Sequence, residues 1–184
     1  MNLPKHSYMH YGKINVIRTG EKGVDFHQGS FCSVAENVKA YIGGHHRTDY
    51  VTTFPFGSIC SDLFGNTRYG HPMSRGNIVV WNDVWIGDDV KIMPGITIGN
   101  GAVLGSSAVI TKDVDDYAIV AGNPARLIRY RFPEHVRKEL TEIAWWDEPI
   151  DTIKKIVPFL MNENVKYNLP RIREIIEQEK KRDI

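Results

Sequence analysis

The chain has 184 residues, of which 24% are charged and 42% hydrophobic, as in soluble globular domains with a sizeable core. Its 23 Lys and Arg nearly balance its 22 Asp and Glu, which disfavours nucleic acid or an anionic membrane as a partner. No apolar run approaches the ~20 residues of a membrane span, and residues 1–6 do not resemble a secretory signal. Cys32 and Cys60 lack metal-ligand spacing. We therefore predict a cytoplasmic protein with reduced thiols, a single disulfide being the alternative.

Residues 1–27 are expected to form an N-terminal leader, after which a repeat of six residues begins. Three hexapeptides start at Gln28, Val34 and Ala40, and four of their six first and fifth residues are apolar. The period is weak in this part of the chain, but it predicts one coil of a repetitive structure.

The register breaks after these hexapeptides, because the distance from Ala40 to Val80 is not a multiple of six. We predict an inserted loop over residues 46–79. Its aromatic residues include Tyr50, Phe54, Phe56, Phe64 and Tyr69. Long excursions from a regular scaffold are more often functional than accidental, so this insertion is a candidate functional segment.

Six consecutive hexapeptides then fill residues 80–115. Their first residues are Val80, Ile86, Ile92, Ile98, Leu104 and Ile110, and their fifth residues are Val84, Val90, Ile96, Ala102, Ala108 and Val114. At a mean of 42% hydrophobic residues, twelve apolar positions would arise by chance about three times in a hundred thousand. Hexapeptide repeats form parallel β-helices, in which three repeats make one triangular coil and the first-position aliphatics stack inside. Strands of a sandwich are disfavoured, because hairpin turns would break the six-residue register.

Gly follows the aliphatic residue in three of the repeats, which indicates either repeated bends or a close approach of neighbouring backbones. Beyond the repeats, residues 121–125 (AGNPA) precede Arg126, Arg129 and Arg131. Pro133-Glu134 predicts a helix start, a second helix follows Trp145-Trp146, and a third is expected from Pro170. We predict a β-helix domain over residues 28–130 and a helical extension over residues 131–184 that caps its open end.

Several segments resemble those of the hexapeptide-repeat acetyltransferases. They are residues 46–49 (HRTD), 53–56 (TFPF), 82–87 (NDVWIG), 93–99 (MPGITIG), 122–125 (GNPA) and 145–146 (WW). The resemblance covers about residues 29–160 and is strongest to the xenobiotic acetyltransferase branch, which includes type B chloramphenicol and streptogramin acetyltransferases and many bacterial sugar O-acetyltransferases. It implies a mainly β fold, a left-handed parallel β-helix with an inserted loop and an α-helical tail, as an exception to the usual right-handed crossover. It also implies a homotrimer with its active sites between subunits, and acetyl-CoA as cosubstrate.

The resemblance identifies His46 as the catalytic base, because it stands directly before Arg47 in the His-Arg-Thr-Asp motif. Acetyl transfer from a thioester to a hydroxyl needs a base when the oxygen attacks, and histidine, with an ordinary pKa of about 6.5, can remove and return that proton. No covalent acyl-enzyme is required, because acetyl-CoA is already activated. The preceding residue is His45, where the family commonly has Asn, so the sequence raises the question of which histidine acts.

Acetyl-CoA carries phosphates, which Lys and Arg bind well. By resemblance, its binding residues are Gly105, Ser106, Thr111, Lys112, Asn123, Pro124, Arg126 and Arg129. Trp85, at an outward hexapeptide position beside the insertion, is expected to line the pantetheine or acceptor tunnel. Thr111, Lys112 and the arginines would contact the nucleotide end of CoA, and Gly105 and Ser106 would line the path of its pantetheine chain. For the charged residues the alternative is a solvated surface without a ligand. For Trp85 the alternative is packing between subunits. The predicted acceptor-binding residues are Asp49, Tyr50, Phe54 and His71. A histidine-bound zinc, as in γ-class carbonic anhydrases, is disfavoured because no histidine lies between His71 and His135, so we predict no metal.

We expect an O-acetyltransferase acting on a sugar or glycan precursor, because Gly70-His71-Pro72 resembles the sugar-modifying members. Three alternatives stay open. They are the same reaction on chloramphenicol or a streptogramin, N-acetylation of a nucleotide-linked amino sugar, and a non-catalytic assembly or binding module. An amine acceptor would depend less on His46, and an assembly module would have no use for that histidine beside an aromatic insertion.

Overall fold

The computed structural model describes residues 11–19, 23–66 and 73–182. Its strands are β1 (Asn15–Thr19), β2 (Phe26–Gln28), β3 (Ser33–Val34), β4 (Lys39–Gly43), β5 (Ile78–Val80), β6 (Trp85–Ile86), β7 (Lys91–Ile92), β8 (Thr97–Ile98), β9 (Val103–Leu104), β10 (Val109–Ile110), β11 (Ala118–Gly122) and β12 (Ala125–Tyr130). They form sheet I (β2-β5-β8), sheet II (β3-β6-β9-β11-β12) and sheet III (β1-β4-β7-β10). Each coil passes through the three sheets in turn, and all pairings are parallel except β11 with β12. The predicted three-sided parallel β-helix is therefore confirmed.

The interior of the β-helix is filled by the periodic aliphatic residues. All first and fifth residues of the six main hexapeptides are buried, and Ile86, Ile92 and Ile98 are completely inaccessible. Val34, Val38 and Ala40 of the upstream repeat are buried in the same core, so the additional coil is also confirmed. Full burial of each such side chain stabilises the fold by about 1.5–3 kcal/mol.

The recurring glycines reflect the close approach of successive coils. A Cβ atom at Gly87 would lie 2.7 Å from the backbone nitrogen of Ser106, and one at Gly99 would lie 2.5 Å from that of Asp116. Both distances are too short for non-bonded atoms. Neither glycine has a positive φ, so the contact with the next coil, and not a bend, requires glycine at these positions.

The corner between sheets I and II has the same backbone conformation in each coil. Phe31, Asp83, Gly101 and Tyr117 follow one another along this corner with φ values of 59°, 58°, 63° and 58°. These values lie in the left-handed region, which Asn, Asp and Gly tolerate best. The corner therefore repeats one tight turn, which accounts for part of the Asn, Asp and Gly content of the repeats.

A ladder of polar side chains ties this corner together. Asn82 Oδ1 accepts a hydrogen bond from the Ser30 N–H (2.8 Å), and Asn82 Nδ2 donates to Asn100 Oδ1 (3.0 Å). In the next coil, the Asn100 N–H donates to Asp116 Oδ1 (2.6 Å). Asn82 is only 5% exposed, so its amide satisfies a backbone group, the Ser30 N–H, that water does not reach.

Two parts of the structure lie outside the bounds expected from the sequence. β1 pairs in parallel with β4 from Asn15↔Lys39 to Thr19↔Gly43, so part of the predicted leader extends sheet III. β5 begins at Ile78, inside the range predicted for the insertion. Cys32 is buried, which raises the pKa of its thiol to about 11, and both Cys32 and Cys60 are free thiols.

The tail contains α3 (Glu134–Ile143), a 3₁₀ turn (Trp145–Asp147), α4 (Ile150–Leu160) and α5 (Val165–Arg182). The prediction that the last helix starts at Pro170 is wrong. The Asn168 N–H already donates to the Asn164 carbonyl (3.0 Å), and a proline near the start of a helix removes only one intrahelical hydrogen bond. No helix in the described part of the chain is long and apolar enough to cross a membrane.

The tail helices pack along the corner between sheets I and II, and Arg137 of α3 also lies over the Tyr130 ring of β12. The rings of Phe31 and Trp145 lie 4.8 Å apart, and Arg131 Nη1 lies 3.1 Å from Asp83 Oδ2. At the end of sheet II, β12 pairs with β11. The hairpin therefore covers this sheet edge, which the sequence analysis assigned to the helices.

Replacing Tyr117 by phenylalanine is expected to leave the free energy of unfolding unchanged or to raise it by up to about 1 kcal/mol. The side chain is 1% exposed and its burial raises its pKa, which the neighbouring Thr141 hydroxyl partly opposes. The Tyr117 hydroxyl makes no hydrogen bond of normal geometry with the described residues. Urea unfolding measures the effect. Tyr130→Phe is the control and should destabilise, because the Tyr130 hydroxyl donates to Asp115 Oδ2 (2.7 Å). A clear loss of stability in Tyr117→Phe would contradict the prediction.

Candidate active site

His46 lies at the start of the insertion, immediately after an antiparallel bridge that closes its base. The His45 N–H donates to the Met73 carbonyl (3.0 Å), and the Met73 N–H donates to the His45 carbonyl (2.8 Å). The chain that leaves the β-helix after β4 and the chain that returns before β5 are therefore joined at this point. Within the insertion, α1 (Phe56–Ile59) and α2 (Ser61–Phe64) are single helical turns.

The His46 ring is held by the backbone of the insertion. Its Nδ1 lies 2.5 Å from the carbonyl oxygen of Thr53. A carbonyl can only accept, so Nδ1 carries the proton, and in the neutral ring Nε2 is the nitrogen with the lone pair. The side chain is exposed to solvent. This arrangement suits a base that takes a proton through Nε2.

The geometry favours His46 over His45 for this role. His45 uses both backbone polar groups in the bridge to Met73, and it has no contact with Thr53 equivalent to that of His46 among the described residues. Its side chain is only partly exposed. The contact with the Thr53 carbonyl therefore fixes the tautomer of His46, and His45 has no such contact among the described residues.

Three of the four predicted acceptor-binding residues lie close to His46 in the chain, and two of them, Asp49 and Tyr50, contact Arg47. Arg47 Nε donates to Asp49 Oδ1 (2.7 Å), its Nη2 pairs with the other carboxylate oxygen, and its guanidinium lies 4.7 Å from the centre of the Tyr50 ring. The bond to Asp49 raises the pKa of Arg47. Phe54 packs against Phe56 with ring centres 4.7 Å apart. The fourth residue, His71, and Tyr69 lie outside the described residues.

The insertion carries an exposed aromatic and aliphatic surface. Tyr50, Phe54 and Phe56 are each about 40% exposed, and Leu63 is 75% exposed. Phe56 and Phe64 pack edge to face, with ring centres 4.8 Å apart. A surface of this kind is typical of a segment that contacts a ligand or another protein chain.

Trp85 and Arg129, both predicted to bind CoA, lie in one row across the outer face of sheet II. The row follows the pairings Ser33↔Trp85, Trp85↔Val103, Val103↔Ile119 and Ile119↔Arg129. A depression of about 410 Å³ runs along it and is also lined by Phe31 and Arg131. Trp85 is 59% exposed, so its indole forms an accessible apolar wall. We refer to this depression as the sheet II groove.

Five further predicted residues meet at the corner between sheets II and III. Gly105 and Ser106 follow β9, and the Gly105 N–H donates to the Val120 carbonyl of β11 (2.8 Å). Asn123 and Pro124 form the two-residue turn between β11 and β12, joined by a cis peptide bond. Arg126, on β12, pairs with Ala121 of β11 beside this turn and donates to the Ala125 carbonyl (2.9 Å).

Thr111 and Lys112 lie on a different side of the β-helix. They follow β10 of sheet III, and the register Ala40↔Ile92↔Ile110 brings them to the corner where the insertion leaves the β-helix. Within one chain, the predicted CoA residues therefore fall into two groups. One surrounds sheet II and its corner with sheet III, and the other shares a corner with the insertion that carries His46.

Arg131, which the sequence analysis does not include among the CoA-binding residues, makes contacts within the β-helix. Its guanidinium donates to Asp83 Oδ2 (3.1 Å) and to the Gly101 carbonyl (2.8 Å) and lies 5.5 Å from the centre of the Tyr117 ring. Burial raises the pKa of Asp83, and the neighbouring Arg131 opposes that rise.

Sequence reasoning missed two features of this site. The Thr53 carbonyl has no sequence signal, because any residue supplies a backbone carbonyl. The sheet II groove could have been found by aligning the outward residue of each hexapeptide, which places Trp85 and Val103 on one face. Among the residues that the structure describes, no group of three His, Cys, Asp or Glu side chains is arranged to hold a metal ion.

The fold and this arrangement define a β-helical protein of hexapeptide repeats with a histidine at the base of an aromatic insertion. Residues 77–112 match the family model described as bacterial transferase hexapeptide (six repeats). A chloramphenicol acetyltransferase of Escherichia coli is 42% identical over 139 residues, covering 74% of this chain and 66% of that protein. A probable macrolide acetyltransferase of Lysinibacillus sphaericus is 37% identical over 126 residues, covering 65% of this chain and 67% of that protein.

A galactoside O-acetyltransferase of Escherichia coli strain K12 is 33% identical over 119 residues, which cover 59% of each chain. The chain thus spans somewhat less than two thirds of the length of several curated relatives that it matches. Its repeats, motifs and relatives agree, and the chain belongs to the family of hexapeptide-repeat acetyltransferases.

Proposed function

We propose that this protein is an acetyl-CoA-dependent O-acetyltransferase that acetylates a hydroxyl of an antibiotic of the chloramphenicol type. The observation that carries the proposal is the contact between His46 Nδ1 and the Thr53 carbonyl, which leaves Nε2 as the basic nitrogen of the neutral ring. Identities of 42% to a chloramphenicol acetyltransferase and 33% to a galactoside O-acetyltransferase favour the antibiotic over the sugar. The sugar acceptor, which the sequence motif favoured, becomes the second candidate.

In this mechanism, His46 Nε2 takes the proton of the acceptor hydroxyl as its oxygen attacks the thioester carbon of acetyl-CoA. The new C–O bond forms, and the carbonyl oxygen carries negative charge in the tetrahedral intermediate. The C–S bond then breaks, CoA leaves as a thiolate, and the imidazolium returns its proton to the sulfur. The Thr53 carbonyl holds the protonated Nδ1 throughout, so the ring keeps its orientation during both proton transfers.

The sheet II groove supports a role in binding CoA. Trp85 offers an apolar wall for the pantetheine chain, and Arg129, at the other end of the row, offers a cation for a phosphate. Lys112 and Arg126 are further candidates for the phosphates. Since Lys112 lies at another corner from the groove, we infer that one CoA molecule contacts residues of two neighbouring chains.

The exposed apolar side chains support assembly into a homotrimer. In a single chain, Ile59 is 65%, Leu63 75% and Ile128 62% exposed. Burial of such side chains between subunits is favourable. The trimer, the left-handed coiling of the β-helix and the contribution of the insertion to a neighbouring site are parts of this proposal. Sedimentation equilibrium tests the trimer.

The test of the reaction follows release of the free CoA thiol. The purified chain is mixed with acetyl-CoA and, in turn, chloramphenicol, a streptogramin, a macrolide, galactosides and nucleotide-linked amino sugars. Release that requires chloramphenicol, with a product that mass spectrometry identifies as the acetyl ester, is the expected result. Turnover with a galactoside alone would replace the antibiotic by the second candidate. Calorimetry that detects no binding of CoA would overturn the acetyltransferase proposal.

Replacing Arg129 by alanine is expected to weaken CoA binding about tenfold, because one cation–phosphate contact contributes roughly 1.4 kcal/mol or more. Calorimetry with CoA and with 3′-dephospho-CoA measures the effect in Arg129→Ala, Arg126→Ala and Lys112→Ala. The variant that lacks the contact to the 3′-phosphate should bind the two ligands equally. Arg171→Ala, an exposed cation on α5, is the control and should bind CoA like the wild type. Unchanged CoA affinity in all three test variants would contradict the assigned nucleotide site.

A further inference from the structure

A second cavity lies between the tail helices and the corner of sheets I and II. Its volume is about 330 Å³. Its walls are mostly apolar and include four partly exposed aromatic side chains, Phe31, Phe132, Trp145 and Phe159. Leu140 of α3 and Leu160 of α4 complete the apolar surface. We refer to this space as the tail cavity.

The size of the tail cavity exceeds that of an ordinary packing defect. Protein interiors pack as densely as organic crystals and contain few voids larger than a water molecule. Sites for small molecules are concave, mostly apolar and typically 300–1,000 Å³ in volume, with a few polar groups that orient the ligand. The tail cavity, at about 330 Å³, falls within that range. An apolar cavity of ~150 Å³ holds benzene, so this one has room for a two-ring compound.

One wall of the cavity carries an ion pair. Arg131 Nη1 lies 3.1 Å from Asp83 Oδ2, and both side chains are 31% exposed, so the pair is still reachable. No described residue donates a hydrogen bond to Asp83 Oδ1, whereas Arg131 is also engaged by the Gly101 carbonyl (2.8 Å). Within this ion pair, the position most available to a ligand is therefore an acceptor, the second oxygen of Asp83.

The ion pair of Asp83 and Arg131 also determines which ligand charge the cavity favours. An anionic ligand would lie against Asp83, and a cationic ligand would lie against Arg131, so each is repelled by one member of the pair. A neutral molecule avoids both penalties and can donate an O–H or N–H to Asp83. Aromatic rings suit the remaining walls, since five aromatic side chains, the buried Tyr117 among them, line the cavity.

We infer that the tail cavity is a binding site for a neutral, two-ring aromatic molecule that donates one hydrogen bond to Asp83. The cavity lies at the corner of sheets I and II, whereas His46 follows the corner of sheets III and I. Phe31, Asp83 and Arg131 also line the sheet II groove, so a ligand in the tail cavity would contact the wall that the two spaces share. The inference is independent of the acetylation reaction.

The experiment titrates 2-naphthol into the full chain and follows quenching of tryptophan fluorescence, with calorimetry as a second readout. Saturable binding is expected. 2-Methoxynaphthalene, which lacks the donor, and naphthalene-2-sulfonate, which is an anion, should each bind at least fivefold more weakly. Equal affinity for 2-naphthol and 2-methoxynaphthalene would overturn the role of Asp83.

Leu140→Trp tests the location, because the larger side chain fills the cavity. It should weaken 2-naphthol binding at least tenfold, while Leu63→Trp, the same change on the exposed insertion, should leave it unchanged. Circular dichroism and thermal unfolding establish that both variants fold. If Leu140→Trp does not fold, Val157→Trp at the partly exposed wall replaces it. The absence of saturable binding, or equal binding by the filled variant, would overturn the site.

Discussion

Replacing His46 by alanine is expected to lower kcat by 10²- to 10⁴-fold, the usual contribution of a general base, while CoA binds as it does to the wild type. The reason is that His46 would act on the acceptor proton, and the groups proposed to hold CoA lie on sheet II and on neighbouring corners. Thiol release gives the turnover number, and calorimetry gives the dissociation constant for CoA. The loss should appear in kcat and hardly at all in the KM for acetyl-CoA.

His45→Ala is the matched control, because it removes the same side chain from the adjacent position. The bridge to Met73 uses only backbone atoms of His45, so this variant keeps the base of the insertion and should retain most of the turnover. Full activity of His46→Ala would remove His46 from the mechanism. An equal loss in both variants would mean that the two histidines act together.

The repeat allowed the β-helix to be predicted from sequence, because its period is local. A six-residue pattern of inward aliphatics determines which side chains face the axis without reference to any distant segment. Ile86, Ile92 and Ile98 illustrate this, since each is fully buried at the position that the period assigns. The reason for the recurring glycines could not be predicted from sequence, because a bend and a close approach of two backbones both require glycine. In the structure, a Cβ atom at Gly99 would lie 2.5 Å from the backbone nitrogen of Asp116, which identifies the close approach as the reason.

The position of the tail could not be predicted in the same way. An amphipathic helix indicates that it packs on something, but its sequence does not say on what. Trp145 packs on Phe31, more than a hundred residues earlier in the chain, and such a pairing has no local signature. The end of sheet II is instead paired with β12, whose short antiparallel turn at residues 123–124 the sequence analysis treated only as a CoA-binding motif.

In the candidate site, too, local motifs identified residues, but the contacts between distant residues could not be predicted. The motif placed His46 at the insertion, but the carbonyl that sets its tautomer belongs to Thr53 and depends on how the loop folds back. Trp85 and Arg129 were each predicted, yet their common groove requires the antiparallel pairing of β11 with β12 and an irregularity between Ile119 and Val120. Lys112, predicted for the same ligand, lies at another corner, which is why the proposal needs a neighbouring chain.

The β-helix and the insertion differ in their structural roles. The stacked coils form a rigid body with a fully buried core, and such a body can hold a groove and a corner in fixed positions. The insertion is attached to it by the bridge between His45 and Met73, directly beside the proposed base. The proposed base therefore lies at the junction between this rigid body and the insertion that carries the exposed aromatic residues.

Replacing Asn82 by alanine is expected to lower the free energy of unfolding by about 2–4 kcal/mol, which is the largest stability effect that we predict. The change removes the acceptor of the Ser30 N–H (2.8 Å) and the donor to Asn100 Oδ1 (3.0 Å), in a side chain that is 5% exposed. A backbone N–H left buried without a partner costs about 1–3 kcal/mol, and the lost second bond adds to this. Urea unfolding at fixed protein concentration measures the change.

Asn77→Ala is the matched control, because Asn77 is exposed and its side chain accepts one hydrogen bond, from the Asp25 N–H (2.9 Å). Water can replace that partner, so this variant should lose less than about 1 kcal/mol. A comparable loss in both variants would mean that burial of the corner ladder contributes little. A large loss confined to Asn82→Ala would establish that the polar corner, together with the aliphatic interior, holds successive coils in register.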